Sequence, residues 1–452
     1  MHCYYAMNGL SINYDGRVRP CCVAKKLKTI TGTPGVVNSH DLEWINTWPI
    51  KMDNGKYGFQ PQIQAVNHVK ELLNDPVLCH LREKLKKNRR PAECERCFYV
   101  EDQGGFSYRM DANETHKHLI HEDSIQEEDG ILSDMEHISY LDITLGNVCN
   151  LQCKTCNPWS SHNWLDEAQA IPHQEYKPEY IHYLKKGRED PWFVRAFRER
   201  FFDPILGTIR TINFLGGEPL VVKEHYEWLK YIINKGWARN KTLQYTSNGT
   251  TIPNALIDIW SHFEHVNLGI SVDAVGDKAY YIRHPSKWSV IEKNFDKLRH
   301  RCKEVKHINV QLHTTVSMLN ILDIGEVYEF SRNQYKKFHY INRETKHPHG
   351  YINILPHINI VDFPRYYHIR HLPTELKHQA VKHIELTYDR VKSTIENDWE
   401  QDNLNNLNNL AKIIMEDRDP HMWDQFLDVQ RASDKFRKIK GSDYIPWMRQ
   451  YV

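Results

Sequence analysis

The chain has 452 residues, 59 basic against 58 acidic, for a net charge of +1 with the histidines neutral. A balance so close to zero leaves no electrostatic footprint for nucleic acid or an anionic membrane surface, and no apolar run reaches helical spanning length. The length suits two or three domains rather than one core. The opening MHCYYAMNGL lacks the basic start and apolar core of an export signal, so a cytoplasmic chain is expected.

Residues 1–110 read as a first unit. Residues 10–13 form a short strand, Asp15-Gly16 is a hairpin turn signal, and residues 17–19 return toward Pro20, Cys21 and Cys22. That hairpin brings Cys3 and Cys21 near one another. A C-x2-C pair, Cys94 and Cys97, follows a basic helical run over 77–87. Ten cysteines in a long chain without an export signal point to metal or redox chemistry rather than a disulfide scaffold. Two separated thiol pairs can close one tetrahedral site, and structural zinc is one reading of them. Cys22 is an alternative to Cys21, while Cys79 and Cys302 read as ordinary buried thiols. Arg109 and Asn113 read as part of a solvated loop, and residues 111–137 as a linker.

From Ile138 the chain alternates strand and helix, the pattern of a parallel sheet with crossover helices. The first strand, 138–145, runs into LGNVCNLQCKTCNPW, which holds Cys149, Cys153 and Cys156 in a C-x3-C-x2-C spacing. Soft thiolates suit an iron–sulfur cluster, and three of them leave one iron open to another ligand. Zinc completed by a distant His or Cys is the alternative. A helix is expected over 159–170. A proline-broken insertion over 171–204 reads as a lid or as surface elaboration. The second strand, 208–215, ends in Gly216-Gly217-Glu218-Pro219, where glycines permit close backbone approach. Helix 224–235 stops at Gly236.

Strands follow at 242–246, 266–271, 307–316 and 351–355, with His357 just beyond the last. The first three of these end in Ser247-Asn248, Ser271 with Asp273, and Thr315 with Asn320. Such residues suit a ribose-binding rim, and they are also favoured helix caps. Six strands make an α/β fold, a partial (β/α)6 TIM-like barrel over 138–360. A helical extension follows over 361–452, with helices at 376–395 and 404–415. The asparagine-rich run 403–409 reads as a loop or helix start, and a polar helix near Asp434, Arg437 and Asp443 as cover for the open side of the barrel.

The cysteine spacing at the end of the first strand resembles the signature of radical SAM enzymes. Thr155 stands where that family usually has an aromatic residue. The resemblance implies that Cys149, Cys153 and Cys156 hold a [4Fe–4S] cluster whose fourth iron is chelated by S-adenosylmethionine. Gly216, Gly217 and Glu218 match the family's GGE motif at the methionine amino group, and Ser247, Asn248, Ser271 and Asp273 fall where the family holds the SAM ribose and carboxylate. Thr315 and Asn320 are weaker candidates. Cys3, twelve residues, Gly16, four residues and Cys21 resemble the opening of the SPASM and twitch auxiliary-cluster domains. By that resemblance Cys3, Cys21, Cys94 and Cys97 would hold a second [4Fe–4S] cluster for electron transfer, here placed before the barrel where the family usually has it after. The implied partners are a peptide, protein or small-molecule substrate and a reductase or a flavodoxin- or ferredoxin-type electron donor. The other readings are a non-catalytic iron–sulfur or zinc scaffold and a radical SAM methylase.

Overall fold

The computed structural model describes residues 1–12, 18–21, 24, 47–51, 57–61, 69–120, 129–132, 134–173, 202–305, 307–345, 355–395 and 398–452. Gly16, Cys22 and most of the 171–204 insertion therefore lie outside the described residues. The chain divides into two compact units. Unit 1 is Met1–Gly146, Asp190–Gly216 and Ile232–Leu243; unit 2 is Asn147–Glu189, Gly217–Tyr231 and Gln244–Val452.

Unit 1 contains strands β1 (Gly9–Ile12), β2 (Val18–Arg19), β5 (Tyr140–Thr144) and β6 (Thr211–Leu215), in the order β2-β1-β5-β6. A separate antiparallel hairpin is formed by β3 (Thr47–Lys51) and β4 (Tyr57–Pro61). The expected hairpin is present, since β2 pairs antiparallel to β1 with Ser11 opposite Arg19. Its first strand also lies parallel to β5, with Ser11 opposite Asp142, and β5 is parallel to β6 with Asp142 opposite Asn213. Ser11 Oγ and Asn213 Nδ2 donate to the two oxygens of Asp142 at 2.9 and 3.2 Å, so a buried carboxylate is satisfied by its cross-strand neighbours.

Strand β7 (Thr242–Ser247) begins in unit 1 and continues into unit 2, where β8 (His265–Ser271), β9 (Ile308–Val316) and β10 (His357–Ile360) follow in that order. β9 strictly alternates buried and half-buried residues, the two-residue period of a strand with one packed face. Seven strands are parallel and β2 is antiparallel, so the fold is an α/β partial barrel carrying one strand more than the expected six. That strand is β1.

The strand His357–Ile360 pairs with His313–Val316, and residues 351–354 of the strand expected at 351–355 lie outside the described residues. One expectation needs correction. The asparagine-rich run lies inside the helix Asp398–Ile414. Leu404, Leu407, Leu410 and Ile414 are all buried there, and an apolar stripe at helical spacing outweighs the poor propensity of asparagine. Elsewhere the expected helices appear as Lys223–Asn234, Thr374–Val391 and Asp398–Ile414. After the first of them Gly236 takes φ +75°, with bonds from Gly236 N and Trp237 N back to Ile233 O and Ile232 O closing its end. Among the described residues no helix is long and apolar enough to cross a membrane.

Candidate functional site

The three clustered thiols sit on a loop in unit 2 that its own side chains hold rigid. Asn147 Nδ2 donates to Pro158 O, and Asn163 Nδ2 to Cys149 O at 2.9 Å. Ser161 Oγ donates to Leu151 O at 2.6 Å and Trp164 Nε1 to Cys153 O at 2.9 Å. These anchors occupy the turns before the helix Trp164–Ala170, so that helix starts five residues later than the sequence suggested. The loop also runs beside residues 282–284, with Gln152 N donating to His284 O at 2.6 Å and Lys154 N to Ile282 O at 2.7 Å.

Cys149, Cys153 and Leu151 form one buried cluster, with Cys156 packed against it. Burial raises all three thiols, Cys149 to about 12, and neighbouring thiols push Cys149 and Cys156 further in the same direction. The counter-charge is Arg283, a residue with no motif in the sequence. Its guanidinium donates to Asp273 Oδ2 at 2.6 Å, and its charge favours the thiolate form at all three cysteines. Among the described residues Arg283 Nε is buried without a partner. Also among the described residues, no group of three or more His, Cys, Asp or Glu side chains is already arranged to hold a metal ion. The donor set nevertheless fits an iron–sulfur cluster: three soft ligands in one water-poor cluster beside a fixed cation. Loading it means releasing protons and turning the thiolates to a common centre.

The other expected residues are distributed as follows. Gly216 has φ +84° and lies in unit 1, where an added Cβ would meet Thr144 Cγ2 at 2.3 Å. Gly217 has φ +48°, and a Cβ there would sit 2.1 Å from Val148 O. The close approach that demands glycine is therefore to the chain's own atoms, a side-chain methyl at Gly216 and a carbonyl at Gly217. Glu218 is wholly buried. Its carboxylate accepts from Ser247 Oγ at 2.9 Å, Leu220 N at 3.1 Å and Asn248 N at 2.5 Å, while burial lifts it to about 7. Asn248 reaches back to the thiol loop, donating to Asn150 Oδ1 at 2.7 Å with Cys149 Sγ 3.9 Å away. Asp273 accepts from Arg283 and from Thr315 N, and Asn320 Nδ2 donates to Asp273 O at 2.8 Å and Thr315 O at 2.9 Å. Glu218, Ser247 and Asn248 are thus one network, and Asp273, Thr315, Asn320 and Arg283 another.

Ser271 lies opposite His313 on β9, and His313 opposite His357 on β10, so the three form one cross-strand row. The two imidazole centroids are 5.5 Å apart. Gly269 makes room for this pair, since a Cβ there would lie 2.4 Å from His313 Cε1. Asn309, Gln311, His313 and Thr315 all fall on the half-exposed side of β9, so that side is polar. The alternation of INVQLHTTV was visible in the sequence; the glycine one strand away that seats the imidazole was not.

In unit 1 the N-terminal thiols come from distant segments. Cys3 precedes the helix Tyr4–Asn8, and Cys94 immediately precedes the helix Glu95–Asp102 that contains Cys97. Burial raises all three, Cys3 to about 11, and the mutual repulsion of Cys3, Cys94 and Cys97 adds to the rise at Cys94. Cys21 is half-buried two residues past β2. Arg109 and Asn113 do not belong to a solvated loop. They lie on the helix Tyr108–Thr115, where both donate to His2 O, and Arg109 also donates to the two oxygens of Glu101 at 3.1 and 2.7 Å. They fix the backbone beside Cys3.

No family model matches the chain, and no curated protein does. Solved structures do. The structure of native anSMEcpe with bound AdoMet and Cp18Cys peptide is 17% identical, with a TM-score of 0.32, over 60% of this chain and 61% of that one. TYW1 with a lysine-pyruvate adduct bound is 19% identical, with a TM-score of 0.26, over 55% and 71%. Streptococcus suis SuiB bound to S-adenosylmethionine is 13% identical, with a TM-score of 0.31, over 76% and 65%. The chain spans about three fifths of the anSMEcpe chain it matches. At these values the likenesses settle neither activity nor substrate.

Proposed function

We propose that the chain is a radical SAM enzyme that uses Cys149, Cys153 and Cys156 to hold a [4Fe–4S] cluster and binds S-adenosylmethionine beside it. The observation that carries this reading is the buried thiol cluster, three cysteines on one braced loop with Arg283 as its counter-charge. Held by these three thiolates, a cluster of this type would supply the single electron needed for reductive cleavage of SAM.

The chain's own residues supply position and exclusion. Cys149 is buried, and Asn248 packs against its sulfur, which limits water at the ligands. Glu218 fixes the end of β7 through Ser247 Oγ and Asn248 N, so those residues meet a cofactor in one geometry. Ser271 opens onto the polar row that continues through His313 and His357, and in this reading that row receives the substrate. A peptide or protein substrate is preferred to a small molecule. Cys3, Cys21, Cys94 and Cys97 would hold the second cluster; with four thiolates it has no open iron, which suits electron transfer from the substrate radical. The electron donor would be a reductase or a flavodoxin- or ferredoxin-type protein.

The test is anaerobic. The purified protein is reconstituted, its iron and sulfide are counted, and dithionite and SAM are added. Formation of 5′-deoxyadenosine that disappears in the Cys153→Ala variant is expected. Well-loaded protein that neither binds nor cleaves SAM would overturn the enzyme and leave an iron–sulfur scaffold, while turnover of SAM to S-adenosylhomocysteine would identify a methylase.

A further inference from the structure

A second set of buried charges surrounds the thiol loop, and it comes from the far end of the sequence. The helix Pro420–Arg437 lies against the helix Trp164–Ala170 within unit 2. Arg437 Nε donates to both oxygens of Glu167, at 3.1 and 2.8 Å, with the two side chains 1% and 0% exposed. The same guanidinium lies 5.2 Å above the Trp164 ring, whose Nε1 holds Cys153 O. On the other side of Cys153, Lys154 Nζ donates to Ser433 Oγ at 2.8 Å and Asp434 Oδ1 at 2.9 Å. Asp434 also accepts from the Tyr281 hydroxyl and from Gly441 N. Glu167 closes the circuit by accepting from Ser433 Oγ and from Gln152 Nε2 of the thiol loop. Both peptide flanks of Cys153 are thereby tied to one helix.

The arrangement goes beyond what a docked surface helix requires. Buried ion pairs carry large desolvation costs, and well-packed apolar residues would hold two helices together at least as well. Among the described residues Arg437 Nη1 and Nη2 are buried with no hydrogen-bond partner. A wholly buried guanidinium with two unpartnered nitrogens is a fixed positive charge, and it is felt at Cys153 together with that of Arg283. Around the loop Lys154, Arg283 and Arg437 are each paired, with Asp434, Asp273 and Glu167 in turn. Thiolates added there meet a field that the cations on both sides of the loop soften.

We infer that Arg437 is a positioning residue of the cluster site, holding the thiol loop through Glu167 and Trp164 and supplying the positive charge behind Cys153. This rests on the cluster reading above. The C-terminal helix is then part of the cofactor site, and it joins the loop's geometry to the ease with which a bound cluster is reduced. Partners in this position commonly alter metal affinity by about 10–100-fold.

The test uses full-length protein reconstituted anaerobically, comparing wild type with Arg437→Gln, Arg437→Lys and Asp434→Asn. Thermal melts of each metal-free variant establish folding first. Iron retained after gel filtration and the reduction midpoint, followed by electron paramagnetic resonance without SAM, are then measured. Arg437→Gln is expected to lose about tenfold in cluster retention and to shift the midpoint to more negative potential, because reduction adds an electron that the guanidinium no longer stabilises. Arg437→Lys keeps the charge and should restore the midpoint. Asp434→Asn, nearly isosteric, should lower retention by releasing Lys154, and it serves in place of Arg437→Gln should that variant not fold. Wild type that takes up no four-iron cluster would defeat the functional reading. Wild type that loads normally while every folded variant keeps its retention and midpoint would defeat this inference alone.

Discussion

The two thiol sets solve one physical problem by different routes. Each buries three cysteines so that loss of water opposes the thiolate, and each keeps a guanidinium nearby, itself held by a carboxylate. In unit 2 the pair is Arg283 with Asp273 at 2.6 Å; in unit 1 it is Arg109 with Glu101 at 2.7 Å. The difference lies in how the sulfurs are brought together. Cys149, Cys153 and Cys156 share one short loop, and almost every polar group around them is committed to holding it. Cys3, Cys94 and Cys97 come from segments some ninety residues apart, and their meeting depends on the helix Tyr108–Thr115 reaching back to His2. The sulfurs of a local site start close together and lose little entropy on meeting, whereas a site assembled from distant segments must close a long loop first.

The largest effect should therefore separate the two sets outright. Alanine at any one of Cys149, Cys153 or Cys156 is expected to bring 5′-deoxyadenosine formation down to the no-enzyme background, because a missing ligand leaves the cluster unheld. Alanine at both Cys94 and Cys97 should leave SAM cleavage in place and stop the conversion of substrate to its final product. Loss of SAM cleavage in a folded Cys94, Cys97 double variant with a loaded loop would break the division of labour proposed here.

The same contrast explains what could be read from the chain. The thiol loop, the GGEP turn and the polar strand ends are local patterns of a few residues, and spacing alone exposes them. Arg283 stands ten positions past Asp273 with nothing in its neighbourhood to mark it, and Arg437 is some 280 residues from the loop it braces. Their roles exist only after folding. The strand at His357–Ile360 is fixed by pairing with a strand far upstream in the sequence, which local pattern does not name. Glu218 stands out in the sequence as a carboxylate beside two glycines, but its bonds to Ser247 Oγ, Asn248 N and Leu220 N are not visible there.

Removing the two guanidiniums sharpens the comparison energetically. Arg283→Gln strands the buried Asp273 carboxylate and should cost about 3–5 kcal/mol, the usual penalty for breaking a buried pair. Arg109→Gln removes charge-assisted bonds from a pair that keeps some solvent contact, so about 1.5–3 kcal/mol is expected. Denaturant midpoints of the two metal-free variants against wild type measure both. An Arg109 effect equal to or larger than that of Arg283 would mean that the N-terminal set is the more tightly built of the two.

Acid should weaken both units through one buried imidazole in each. His225 in unit 2 bonds the Tyr245 hydroxyl at 2.9 Å and is held by burial at about 3; His116 in unit 1 stacks on Tyr4 at 4.2 Å and is held, again mainly by burial, at about 4. Both folded values lie below the unfolded value of about 6.5. The unfolded chain therefore binds more protons between those limits, and stability that is complete above pH 6.5 is lost as pH falls toward the folded values. At pH 5.5 each should have removed about 1.4 kcal/mol. Stability of wild type, His116→Gln and His225→Gln at pH 7.5 and 5.5 tests this, each substitution removing its own share of the acid sensitivity. Unchanged sensitivity in both variants would place the acid-labile groups elsewhere.

The smallest effect expected concerns the contact between the end of β7 and the thiol loop. Asn248 donates to Asn150 Oδ1 at 2.7 Å, accepts from Thr250, and lies 3.9 Å from Cys149 Sγ, a distance at which an amide–sulfur bond is weak. Asn248→Ala keeps the backbone N–H that Glu218 uses and removes these side-chain bonds, so it should cost about 1 kcal/mol of stability. Its effect on SAM should be larger than its effect on the fold, because the Asn150–Thr250 bond at 2.8 Å still joins the loop to the segment after β7 while the amide beside Cys149 is gone. A Kd for SAM weakened about tenfold at unchanged iron content would show that Asn248 serves the cofactor. An unchanged Kd with reduced iron would show that it serves the loop, and the cofactor would then be held by Ser271 and the residues of the second network.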